Sequence, residues 1–397
     1  MADCEELLVL RELKSMANVY RKFSTLTGED VDFSSQLKFG QETISCAFSP
    51  DNSLFAWSVG TRTVTIYDTT KLLPTLYGDL GKESRTRFPA LFANESRNND
   101  MEREAGKLLE LDCGGAVRHL AFGAQGDPVD PKEKRRGSQV KYSRFTTKGD
   151  IVLAVGLATG DIKIYDMADP GRMALYLQDH TDSINSLSFS PDGSMVLASA
   201  SKDRTVKLWD LPDDGNMMAT LTMPGPSDTV TSVGWSPDGN HLAVVGSNRD
   251  VFIWEAHGHR KVDKRLSAHL NALSSCRYSH DGTKLFTSSF DTRVICWDVD
   301  RGEILYKFEH MSPTPSKIFA SGQNDHEVLA MDVRMNRLVT LCQDGLLRIW
   351  SLDMKNLKES PARAELVDDA MTIVLSPDGK VVVVGCKGGL LQFCSVE

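Results

Sequence analysis

Apolar and polar positions alternate along this chain in short runs, and residues 180–211 show the unit most clearly. Three runs rich in apolar and β-branched residues, 184–189, 195–200 and 205–211, are separated by polar turns, the pattern of three short antiparallel strands. Ser190-Pro191-Asp192-Gly193 makes the first turn, because Pro fixes φ at the second position and Gly relaxes the fourth. Ser201-Lys202-Asp203-Arg204 makes the second, and the third strand ends on Trp209-Asp210.

The unit recurs. Its first turn returns as Ser49-Pro50-Asp51-Asn52, Ser236-Pro237-Asp238-Gly239, Ser279-His280-Asp281-Gly282 and Ser376-Pro377-Asp378-Gly379, each after an apolar run. Its strand-ending aromatic returns at Tyr67, Tyr165, Trp209, Trp254, Trp297, Trp350 and Phe393. Most intervals between these aromatics are about 43 to 45 residues, with one of about 53 and one of about 98. Units of this length cannot bury both faces alone, and a period of about 40 to 45 residues ending in Trp-Asp is the signature of a WD40 blade. The pattern predicts an all-β chain, a seven-bladed WD40 β-propeller with a short N-terminal helix.

The long first interval holds two polar, charged stretches without alternation, about 79–106 and 123–141, which read as surface insertions. Blade one is predicted over 44–68, and blade two from about 107–109. The prolines in 311–315 mark a loop before blade six. Residues 1–18 read as an N-terminal helical segment, with Leu7, Leu10, Leu13, Met16 and Val19 at three-residue steps. Residues 19–397 read as the propeller. The last blade, 371–396, supplies three strands. A bare sheet edge invites aggregation, so 19–26, which alternates as a strand, is assigned to close the ring there.

Composition changes this picture little. With 41% hydrophobic and 25% charged residues the chain is of ordinary globular make-up, and a net charge of −9 argues against general binding to nucleic acid or anionic membrane. The one basic run, Lys132 to Arg136, lies in an insertion and reads as solvated charge, with nuclear import as the other reading. Eight cysteines show no CxxC spacing, so a zinc site is not expected. Several fall in predicted strands, where a free Cys acts as a small hydrophobe. The N-terminus lacks a signal-peptide pattern, and the chain is expected in the cytoplasm or nucleus.

No phosphate loop, zinc-helix or dinucleotide motif appears, so neither cofactor, metal nor catalytic residue is assigned, and an enzyme is not expected. In blades three and five a His precedes the first strand (His180, His269), an Asp occupies the second turn (Asp203, Asp291), and a Trp follows (Trp209, Trp297). Ser199 or Ser201, and Thr287 or Ser289, can complete a buried hydrogen-bond chain. A Ser-His-Asp triad is the competing reading, disfavoured because the set repeats at blade spacing whereas a nucleophile need occur once. Blades one, two and seven carry Thr61, Thr159 and Lys387 at the Asp position and should rely on apolar packing. Propellers present loops around a central channel, and the positions beside the second turn, Arg62, Lys202, Arg204, Phe290, Arg293 and Gln343, are the candidates for contacting a protein or peptide there.

The segments Phe55-Ala56-Trp57-Ser58, Leu211 to Met218 (LPDDGNMM), Ser289 to Val294 with Trp297-Asp298, and Ile318 to Asp325 (IFASGQND) resemble the WD-repeat and SOCS-box-containing proteins. The resemblance covers all seven blades and both insertions. It implies a propeller that recognises a substrate protein, and a SOCS box that recruits elongins B and C and a cullin as part of a ubiquitin ligase. The chain departs from that pattern in carrying no SOCS-box helix after its last blade, so elongin and cullin recruitment is not expected of it. A non-ligase scaffold or adaptor, or a competitor of full-length receptors, is the alternative.

Overall fold

The Ser-x-Asp-Gly turns do the same work in every blade that has one. The Ser hydroxyl donates to the Asp carboxylate at 2.7 Å in Ser190 to Asp192 and at 2.5 Å in Ser236 to Asp238 and Ser279 to Asp281. The carboxylate also accepts the amide two residues on, as from Ser194 and Asn240. The last position needs a left-handed backbone: Gly193, Gly239, Gly282 and Gly379 have φ near +70°, and Asn52 takes the same role at +61°. Such turns force the flanking runs into antiparallel register.

The computed structural model describes residues 43–71, 90–91, 107–125, 151–169, 171–223, 228–257, 261–310, 327–352, 362–366, 369–387 and 391–395. Their strands form seven four-stranded antiparallel sheets. Blade one is β1 (Cys46–Phe48), β2 (Leu54–Val59), β3 (Thr63–Asp68) and β5 (Lys107–Asp112); blade two is β6 (Val117–Ala124), β7 (Ile151–Leu157), β8 (Ile162–Asp166) and β9 (Arg172–Leu177). Blade three is β10 (Ile184–Phe189), β11 (Val196–Ser201), β12 (Thr205–Asp210) and β13 (Asn216–Thr222); blade four is β14 (Val230–Trp235), β15 (His241–Gly246), β16 (Asp250–Glu255) and β17 (Val262–Ser267). Blade five is β18 (Leu273–Tyr278), β19 (Lys284–Ser289), β20 (Arg293–Asp298) and β21 (Ile304–Glu309); blade six is β22 (Val328–Arg334), β23 (Arg337–Cys342), β24 (Leu346–Ser351) and β25 (Ala362–Glu365). Blade seven is β26 (Ala370–Leu375), β27 (Val381–Cys386) and β28 (Leu391–Ser395), with β4 (Ala90–Leu91) beside β28. The inner strands touch in succession from β1 to β26, and β26 meets β1, so the ring is closed and all-β.

The core is distributed. Seven apolar clusters lie one at each junction between neighbouring blades. Strand alternation explains this: Val196, Ala198 and Ala200 of β11 pack towards blade four, while Leu197 packs towards blade two. Polar latches run between the inner strands as well. The amides of Leu120, Leu187, Val233 and Leu375 donate to Ser45, His119, Ser186 and Asp332 of the preceding blade, at 3.0, 3.3, 3.4 and 2.9 Å. Asn185, Thr231 and Ser274 each donate to the first inner-strand carbonyl of the next blade at 2.7 to 2.8 Å.

Three boundaries differ from the sequence reading. Residues 107–112 do not open blade two; they pair with β3 as the outer strand of blade one. The first insertion contributes a short strand, since Leu391 and Gln392 pair with Leu91 and Ala90. Gly123 and Ala124, placed in the second insertion, finish β6 against Val152 and Ile151. The N-terminal helix, the strand assigned to 19–26, the loop at 311–315 and the segment at 318–325 lie outside the described residues.

Candidate protein-binding face

Every second-to-third strand turn lies at one end of the ring, because all seven sheets share the same antiparallel order. In blade three this end is fixed by a buried chain of hydrogen bonds. His180 Nδ1 lies 2.7 Å from Asp203 Oδ2, its Nε2 lies 2.7 Å from Ser199 Oγ, and the Trp209 indole donates to the same hydroxyl at 2.8 Å. Asp203 also accepts the amides of Thr181 and Thr205. Burial pushes its carboxyl up, yet hydrogen bonds from His180 and Thr205 hold it well below the usual carboxylate range. Blade five repeats the arrangement, with His269 2.8 Å from both Asp291 and Thr287, and Trp297 donating to Thr287 at 2.8 Å. Ser201 and Ser289 sit outside the chains. Each instead accepts the turn amide, of Asp203 or Asp291, and donates to a carbonyl of the preceding loop.

Blade six holds a third, altered chain that the sequence reading missed. His310 Nε2 lies 2.9 Å from Thr340 Oγ1, to which Trp350 donates at 3.2 Å. Asp344 occupies the turn but pairs with the buried Arg348 at 2.5 Å, and His310 Nδ1 has no partner among the described residues. Burial, and then the Arg348 charge, lower His310 to about 4. His310 lies far ahead of β22, whereas His180 and His269 stand just before β10 and β18. The constant that would have found it is the preceding outer strand, which ends within three residues of all three histidines. Where the middle strand carries no hydroxyl the chain fails: Val244 stands at that place in blade four, and the Trp254 indole nitrogen is without an acceptor among the described residues. In blade one Trp57 itself stands there and donates to Thr43 at 2.8 Å.

These constellations are poor candidates for nucleophilic chemistry. The Ser199 and Thr287 side chains are fully buried and their oxygens already accept an indole N–H. The free thiols described, Cys46, Cys113, Cys276, Cys296, Cys342 and Cys386, are buried, and burial raises those of Cys46, Cys296 and Cys342 to about 12. Among the described residues no group of three His, Cys, Asp or Glu side chains is placed to hold a metal ion, and no helix is long and apolar enough to cross a membrane.

What this end does present is exposed cationic side chains. Arg62, Lys202 and Arg204 are exposed, as is Gln343; Phe290 is half-buried. Arg62 lies 3.7 Å from the exposed Asp112. Arg293, also half-buried, pairs across the strands with Glu309 at 3.4 Å. Each candidate sits on its own blade's turn, and the contacts described join none of them to a candidate on another blade. Arg249 was not among them and belongs beside Arg204. Both stand five residues before the blade's Trp, both are exposed, and both hold a left-handed backbone, φ +73° and +66°, a conformation that costs a side-chain-bearing residue about 1 to 2 kcal/mol. Blades two and six use Gly160 and Gly345 at this position. Asn248 in place of Asp hid the equivalence.

The repeats match the WD domain, G-beta repeat, over residues 172–210, 216–255 and 260–298. The human WD repeat and SOCS box-containing protein 1 is 35% identical over 363 residues, covering 90% of this chain and 82% of the relative. The chain belongs to the WD repeat and SOCS box-containing protein family. Its relatives of that name from Danio rerio and Xenopus tropicalis are 37% and 35% identical, with the same shares covered. The stretches matched to the repeat include both complete hydrogen-bond chains, Arg204 and Arg249. Buried histidines underlie this face in blades three, five and six.

Proposed function

We propose that this chain is a protein-interaction module of the substrate-receptor type used in ubiquitination, and that a partner segment docks on the second-turn face around Arg62, Arg204 and Arg249, with Lys202, Phe290, Arg293 and Gln343 at its margins. The observation that supports it is the pair of exposed arginines, Arg204 and Arg249, held in left-handed backbone on adjacent blades. Rigid, prepaid placement of a few anchors favours binding because little ordering remains to be done on association. The names of the relatives support the receptor reading.

A second reading has an observation of its own. The outer strands carry exposed apolar residues, Leu108, Met173, Tyr176, Met217 and Val262, and a scaffold gripping partners along the blade sides would use them. Proximity labelling in cells separates the two. The variant Arg62→Glu, Arg204→Glu, Arg249→Glu, at unchanged melting temperature, should lose the partners that the unaltered protein labels; the same partner set from both would refute the face reading. Co-elution with elongins B and C on size exclusion, or its failure, decides between the ligase arm and a non-ligase adaptor.

A further inference from the structure

Blades three and five build the same loop at the second-turn end from different side chains. In each, the residue after the buried histidine gives its amide to the turn carboxylate, Thr181 to Asp203 at 3.1 Å and Leu270 to Asp291 at 2.9 Å. The next side chain accepts the amide that follows it, Asp182 from Ser183 and Asn271 from Ala272. The loop then closes on the second turn: the Ser183 carbonyl accepts the Lys202 amide at 2.9 Å, and the Ala272 carbonyl accepts that of Phe290 at 3.1 Å. The same hydrogen bonds therefore form whatever side chains the loop displays.

What the two loops display differs. Blade three shows Thr181, Asp182 and Lys202; at the same three places blade five shows Leu270, Asn271 and Phe290. Leu270 is 69% exposed, more than any other large hydrophobic residue among those described, and Phe290 is half-buried. Folding does not account for this pair, because Thr181 and Lys202 complete the same loop. Its apolar surface is left in water, which is unfavourable until something covers it. Leu270 is also held in place, its amide by Asp291 and its carbonyl by Arg249 of the neighbouring blade, with Nη1 at 3.5 Å, so little ordering remains for a partner to impose.

That guanidinium supplies the second part. Arg249 is exposed and borders the apolar pair, and no carboxylate among the described residues pairs with it. The nearby carboxylates are engaged elsewhere: Asp250 holds Arg265 and Ser267, and Asp291 holds His269 with the amides of Leu270 and Arg293. An apolar pair with an uncompensated cation at its edge fits a segment that carries an apolar side chain beside a carboxylate.

We propose that the blade-five margin of the second-turn face is its apolar anchor site, taking a peptide segment of a partner protein in which a large aliphatic or aromatic side chain packs on Leu270 and Phe290 while an Asp or Glu close by pairs with Arg249. This assignment rests on the docking reading of that face and adds the chemistry the face selects.

Panning a phage-displayed library of random peptides against the full chain tests it, with fluorescence anisotropy on the most enriched peptide. Enriched sequences are expected to share a large apolar residue with an Asp or Glu nearby. Leu270→Ser and Arg249→Gln, each at unchanged melting temperature, should weaken that peptide at least about tenfold. Met173→Ser, which removes exposed apolar surface from an outer strand, should leave its affinity unchanged. No enrichment, a basic or wholly polar consensus, or equal weakening by Met173→Ser overturns the proposal. Binding that survives Leu270→Ser or Arg249→Gln but is lost in the Arg62→Glu, Arg204→Glu, Arg249→Glu variant overturns the anchor site and leaves the face reading standing; binding that survives all three variants removes both.

Discussion

The hydroxyl shared by histidine and indole is the residue on which each blade's chain depends. Thr287→Val leaves the Trp297 indole N–H without its acceptor and His269 Nε2 without its partner, and an unsatisfied buried polar group costs about 1 to 3 kcal/mol. Val244→Thr in blade four does the reverse, offering an acceptor to Trp254. Urea denaturation should show the first change lowering stability by that amount and the second costing clearly less; equal losses would show the chains to be incidental. Two other imidazoles make stability depend on pH. Burial, then the Arg277 charge, lowers His119 to about 3, and burial with Arg348 lowers His310 to about 4, both from 6.5. Between pH 6.5 and 4 the unfolded chain therefore binds protons that the folded chain refuses. Stability should fall with pH across that window, by up to about 1.4 kcal/mol per pH unit for each ring. Urea midpoints between pH 7 and 5 should drop, and the drop should be shallower in a His119→Asn, His310→Gln variant. An unchanged slope in the variant would place the pH dependence elsewhere.

At the scale of elements, the seam between blades seven and one is closed partly by a glycine with no room for a side chain. Thr43 donates its amide to Cys386 at 3.3 Å, and a Cβ at Gly385 would stand 2.4 Å from Thr43 Cγ2 and 2.7 Å from Thr372 Cγ2. Gly385→Ala should cost about 1 to 3 kcal/mol by overpacking, read as a lowered melting temperature. Gly345→Ala, with nothing within 4 Å of its Cβ, should cost only the strain of its left-handed backbone. Most of this architecture was legible because turn chemistry is local: Ser, Asp and Gly close a turn with their own atoms. What escaped was set by distant sequence. Ala90 and Leu91 pair with a strand 300 residues away in a stretch without alternation. Residues 107–112 look like the start of a blade because the outer strand of one blade directly precedes the next blade's inner strand. His310 was missed because its distance to the following strand differs from that of His180 and His269, while all three stay within three residues of the preceding one.

For the whole molecule, closure gives two ends of different character. One carries exposed arginines on its turns, with buried histidine chains beneath blades three, five and six, that of blade six altered by the Asp344–Arg348 pair. The other bears the first-to-second strand turns, of which Met335-Asn336 in blade six is the shortest. Between them runs an outer belt with exposed apolar side chains, the surface a side-gripping scaffold would use. Candidate positions on the first end were legible in part: Arg204 follows from the Asp turn, but Arg249 needed the backbone angle to reveal its equivalence. Hydrogen exchange of the protein alone and with a partner recovered by proximity labelling discriminates most directly. The account predicts new protection at residues 60–63, 202–205 and 247–250, with the outer strands at 172–177, 216–222 and 262–267 unchanged. Protection confined to those outer strands would contradict it.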